Sequence, residues 1–95
     1  MHILEIRRSV PDFAEWKARF DGDPLHRDGS GMRAYRVARS IESPAELTIQ
    51  LDFEGLSQAT AFRERLEEQW RAHPYGAGEV RILESMDRHA YQPVS

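Results

Sequence analysis

The stretch from Trp70 to Tyr75 gathers residue types that can move protons. His73 stands three positions after Trp70 and two before Tyr75. An imidazole titrating near neutrality beside a phenol is a workable acid–base pair. The same histidine, at the end of a predicted helix, also has a plainer explanation in the helix dipole and its exposed carbonyls. A second group, His26, Arg27 and Asp28, lies in a polar stretch rich in glycine. There Arg27 can bind a carboxylate or phenolate and His26 can carry a proton, or the loop is simply solvated. Trp16, Phe20, Phe62 and Trp70 are the third group. They either wall a pocket for a flat apolar ligand or fill the core.

Other chemistries find little support. The four histidines, His2, His26, His73 and His89, show no i,i+4 pair and no HExxH spacing, so no metal site is expected. With no cysteine, disulfides, thiolate ligands and cysteine nucleophiles are excluded. The glycines of "DGSGM" and "YGAGEV" match neither a dinucleotide fingerprint nor a P-loop, and no serine sits in a nucleophile elbow. The net charge of −3 comes from 16 acidic and 13 basic residues interspersed along the chain, the wrong balance for binding nucleic acid. No apolar run approaches the roughly 18 residues of a membrane span, and "MHILEIRR" lacks the apolar core of a signal peptide. The expected location is the cytoplasm. At 95 residues the chain is expected to form one domain, with a core over about residues 2–87 and a polar tail over 88–95.

The elements that must hold these groups follow from periodicity. "HILEIR", residues 2–7, reads as a strand. "SVPD" then reads as a helix start, with Ser9 as cap, Asp12 reaching back and Pro11 tolerated in the first turn. Phe13, Trp16 and Phe20 repeat at helical spacing up to about Asp21, where Gly22 and Pro24 end the helix. A two-turn helix must bring its apolar area in large pieces, and aromatic rings bury about 150–250 Å² each. Residues 32–39, "MRAYRVAR", predict a second strand, with Arg33, Tyr35, Val37 and Arg39 on one face and Met32, Ala34, Arg36 and Ala38 on the other. "LTIQLDF", residues 47–53, alternates apolar and polar without a fault. A second helix is predicted from a Ser57 cap, with Ala59, Phe62, Leu66 and Trp70 as its stripe and Arg63–Glu67 and Glu67–Arg71 as wet-side pairs. Pro74 and "YGAG" end it, and "EVRILESM", residues 79–86, predicts the last strand.

The order β-α-β-β-α-β packs economically as a ferredoxin-like α+β domain, a four-stranded antiparallel sheet with both helices on one face. The opposite sheet face then carries Thr48, Gln50 and Asp52 and is mixed rather than apolar. It meets either water or the same face of a second copy. The element order also suits an RNA-recognition domain, but that class stacks bases on aromatics where this strand offers Thr48, Gln50 and Asp52.

"VPDFAEWKARFD", "HRDGSGMRAYRV" and "SPAELTIQLDFEGLSQATAFRERLEEQW" together resemble small bacterial proteins of the dimeric α/β-barrel superfamily, cyclase-like or similar to antibiotic-biosynthesis monooxygenases. The resemblance spans roughly residues 3–84. Its most specific part is Asp12, Phe13, Trp16, Lys17, Phe20 and Asp21, followed by Arg27 and Gly31. It implies that two protomers pair through their sheets as a homodimer, helices outside, with a cavity between each protomer's helices and sheet. It implies a hydrophobic or aromatic small-molecule ligand and cofactor-independent oxygenation or cyclisation. Haem-degrading relatives use an asparagine in the first strand, and "HILEIRR" has none, so no cofactor is expected. Cyclase-like relatives use a His–Tyr pair, for which His73 and Tyr75 are the nearest candidates. In that version His73 or His26 carries the proton, Tyr75 donates a hydrogen bond and Arg27 anchors an anion. Trp16, Phe20, Phe62 and Trp70 form the wall, and the loop after the first helix acts as a lid. The alternative is a non-catalytic ligand sensor or protein-interaction module, with Trp16 packed tightly on Trp70 and no cavity.

Overall fold

Strand β3 (Glu46–Phe53) sets the plan of the molecule. Leu47, Ile49, Leu51 and Phe53 are each no more than 1% exposed, and the residues between them are half-buried. One face is therefore a core wall and the other is not. The computed structural model describes residues 1–22, 29–74 and 77–91.

β1 (His2–Ser9) lies antiparallel beside β3, with Leu4 opposite Leu51 and Ile6 opposite Ile49. β2 (Met32–Arg39) pairs with the outer side of β3, and β4 (Glu79–Glu84) with the outer side of β1. The sheet order β2-β3-β1-β4 is that of a ferredoxin-like domain. α1 (Phe13–Asp21) and α2 (Leu56–Ala72) cover the apolar face. Ala59, Phe62 and Leu66 of α2 enter the core, where the Phe62 and Phe53 rings sit 5.6 Å apart. Burying each such ring contributes about 1.5–3 kcal/mol.

α1 packs differently. None of its residues is fully buried. Phe13, Trp16 and Phe20 form a run of rings, with centroids 6.0 and 5.0 Å apart, that continues at 5.0 Å onto Tyr35 of β2. Arg39 lies over Phe13 at 5.3 Å and Lys17 over Phe20 at 5.8 Å. The short aromatic helix thus leans on the edge of the sheet through ring and cation–π contacts.

Four local expectations change. Ser9 belongs to β1, and Asp12 is the cap of α1, its Oδ1 accepting from the Glu15 N–H at 3.0 Å. Pro11 therefore precedes the helix. α2 begins at Leu56 with Gly55 as cap, and Gln58 Oε1 accepts the Gly55 N–H at 3.1 Å, so Ser57 is already inside. In β2 an irregularity between Met32 and Ala34 resets the alternation. Met32 pairs with Phe53, on the side of Tyr35 and Val37, rather than sharing a face with Ala34. The last strand ends at Glu84, where the Ser85 N–H donates to the Met1 carbonyl at 2.9 Å.

The open face has Glu5 near its centre. Glu5 is 7% exposed, accepting from Gln50 Nε2 at 3.0 Å and Arg81 Nε at 2.9 Å. Arg7 bonds Glu46 at 2.7 Å, and Arg88 of the tail approaches Asp52 at 3.8 Å.

Candidate functional site

Because α1 leans on the sheet edge while α2 sits in the core, the two helices and the sheet enclose a cavity of about 910 Å³ that opens to solvent. That is the size of small-molecule sites in general. Its floor is Ile6, Ile49 and Leu51 from the sheet, and its walls are Trp16 and Phe20 of α1 and Phe62, Leu66 and Trp70 of α2. Trp16, Phe20 and Trp70 are half-buried, while Phe62 is 2% exposed and belongs chiefly to the core. Trp16 stacks on Phe20 and makes no ring contact with Trp70. The tight Trp16–Trp70 packing expected of a cavity-free module does not occur.

His73 is the cap residue at the end of α2 and lies on the cavity lining, exposed at its mouth. Its backbone N–H donates to Gln69 O at 2.8 Å, and its imidazole bonds no described residue. Tyr75, His26 and Arg27 lie outside the described residues. The structure thus brings Trp16, Phe20, Phe62, Trp70 and His73 to one cavity. Among the described residues, no three His, Asp or Glu side chains gather as metal ligands do. Among the described residues, no helix is long and apolar enough to cross a membrane.

Arg8 is not among the residues that type and spacing single out. Strand parity places Arg8 in the row of Leu4 and Ile6, facing the helices, and it pairs with Leu47 in register. Its side chain lines the cavity, and its Nε is buried without a hydrogen-bond partner. Burial holds the guanidinium below its ordinary pKa, and the cation of Arg19 adds to that effect. Arg19 lines the same cavity from α1, its guanidinium bonded to Glu15 at 2.8 Å. The signal was available, since a cation in the buried row of "HILEIRR" breaks the alternation that Leu4 and Ile6 establish.

Fold and cavity together define a ferredoxin-like α+β domain with a ligand-sized space between its helices and sheet. Solved structures agree on the fold. A protein of Bordetella bronchiseptica with the provisional name antibiotic biosynthesis monooxygenase superposes with a TM-score of 0.63 at 21% identity, over 90% of this chain and 97% of that one. A protein of Deinococcus radiodurans with the same provisional name gives 0.63 at 12% identity, over 98% and 100%. A Mycobacterium tuberculosis protein gives 0.62 at 18% identity, over 95% and 100%. The chain has the fold of these antibiotic-biosynthesis-monooxygenase-like proteins. Identities this low speak for the fold and leave the reaction to be argued from the site. No protein-family model and no curated protein matches the sequence significantly.

Proposed function

We propose that the protein is a homodimer whose protomers each bind a hydrophobic or aromatic metabolite between helices and sheet, with cofactor-independent oxygenation or cyclisation as its chemistry. The observation that carries this reading is the cavity of about 910 Å³ walled by Trp16, Phe20 and Trp70. Flat rings on opposing walls suit a flat ligand, and aromatic stacking rewards one. His73 at the mouth is the proton carrier, with His26 as the other candidate. Tyr75 is the hydrogen-bond donor and Arg27 an anion anchor. No cofactor, nucleic acid or membrane enters the scheme, and the protein works in the cytoplasm.

One observation favours the non-catalytic alternative, a ligand sensor. The His73 imidazole has no described group orienting it, whereas a general base is usually held by a hydrogen bond. Native mass spectrometry on the purified protein tests the common part of both readings. A dimer retaining an aromatic-sized adduct is the expected result. A protein that takes up none of a panel of polycyclic phenols would remove the ligand site. Once a turned-over ligand is known, His73→Ala should abolish turnover and leave binding intact; unchanged turnover takes His73 out of the chemistry.

A further inference from the structure

We propose that the ligand of this cavity is an acid, an apolar aromatic body bearing one anionic oxygen group, and that Arg8 rather than Arg27 receives that group. This rests on reading the cavity as a ligand site and names the class of molecule that fills it.

Arg8 follows Leu4 and Ile6 in the row that faces the helices, at the end where the row meets the cavity. Its Nε–H is enclosed and bonds no described group. The carboxylates nearest in the lining are engaged elsewhere: Asp12 with the Glu15 N–H at 3.0 Å and Glu15 with Arg19 at 2.8 Å. The charged neighbour that Arg8 feels is Arg19, a second cation. Two guanidinium groups therefore border an apolar space, and among the described residues that of Arg8 has no counter-charge.

The base of the Arg8 side chain is also held in place. Gly78 lies against the Arg7 carbonyl, and a Cβ there would stand 2.7 Å from the Arg8 Cβ. An enclosed, unpaired donor on a cation costs free energy, and a neutral apolar ligand would worsen that cost by removing water. A carboxylate, or a phenolate or enolate oxygen, satisfies it, and the planar guanidinium is shaped to hold two such oxygens at once. The ligand's rings then lie toward Trp16, Phe20 and Trp70.

The test compares two probes of one shape, 2-naphthoate and neutral 2-naphthamide, by isothermal titration calorimetry on the full chain. The wild-type protein should bind the acid at least about tenfold more tightly than the amide. Arg8→Met should erase that preference while keeping the affinity for the amide, and should raise the melting temperature because an unpaired cation is gone. Arg8→Gln, closer in polarity, should also lose the preference and serves if the methionine variant fails to fold. Equal binding of acid and amide by the wild type, or a preference that survives both substitutions, overturns the role of Arg8 and leaves the cavity standing. Binding of neither probe overturns the cavity reading and the inference with it.

Discussion

Glu5 and Arg8 stand three positions apart on β1 and face opposite sides of the sheet, and their charges meet different fates. Glu5 is enclosed and satisfied. The Gln50 amide holds its carboxyl below the usual range, burial opposes that, and the Arg81 guanidinium adds to the lowering. Arg8 is half-buried with its Nε enclosed and unsatisfied, which is why one reads as structure and the other as a site. Neither assignment was visible in composition, because both depend on which face each residue takes. The aromatic wall was legible from helical spacing, whereas Arg8 lies at the end of an apolar strand and is less conspicuous than Arg27 in its polar loop. The Glu5 arrangement has a pH signature. A carboxyl with a depressed pKa in the folded state stabilises the fold fully above the unfolded pKa of about 4.3. That contribution disappears as pH falls through the folded value. Urea unfolding of the wild type and Glu5→Gln should therefore show a stability gap at pH about 6 that narrows toward pH about 3. A gap independent of pH would mean that the Gln50 and Arg81 contacts do not stabilise the carboxylate.

At the scale of elements, α1 is the weak part. It has no fully buried residue and rests on ring contacts, the Asp12 cap and two exposed i,i+4 pairs, Glu15–Arg19 and Lys17–Asp21. Exposed pairs of this kind add only about 0.3–0.5 kcal/mol each. The cap is worth about 1 kcal/mol. Asp12→Ala should accordingly speed hydrogen exchange in the first turn of α1, at the Glu15 amide above all, by about fivefold. The amides of β1 and β3 should barely change. Equal acceleration across the sheet would show that α1 is integral to the cooperative core. The same element shows what patterning can and cannot reveal. Its aromatic stripe, its end at Asp21 and the alternation of β3 were legible because single periods dominate them. The start was not, since Ser9 and Asp12 are both good caps and only the length of β1 decides between them. The face taken by Met32 was hidden by the irregularity beside Arg33, which no period announces.

At the scale of the molecule, the proposed pairing of two protomers would use the open face of the sheet. A two-fold pairing sets one surface against itself, so the surface must carry both signs of charge to be self-complementary. This face does: Arg7, Arg36 and Arg81 lie among Glu5, Glu46, Asp52 and Glu79, with the small side chains of Ala34 and Ala38 between. The cavity on the opposite side limits how much apolar area one protomer buries, so a 95-residue chain gains stability by covering its second face. The tail adds unburied apolar surface, with Met86 at 84% and Tyr91 at 89% exposed, while its Arg88 reaches back to Asp52. We therefore expect sedimentation to give twice the chain mass of 11.0 kDa at micromolar concentration. Thr48, half-buried in the middle of β3 on the open face, is the place to test the pairing. Thr48→Arg puts a long cation where two flat faces would meet, but where a lone protomer hydrates it easily. The variant should fall to monomer mass, weakening association by about a hundredfold, and keep the circular dichroism of the fold. It should also melt at a lower temperature that no longer depends on protein concentration. A wild type that sediments as a monomer would deny the pairing altogether. A Thr48→Arg protein that remains dimeric would place the contact on another surface, with the apolar tail residues the next to substitute.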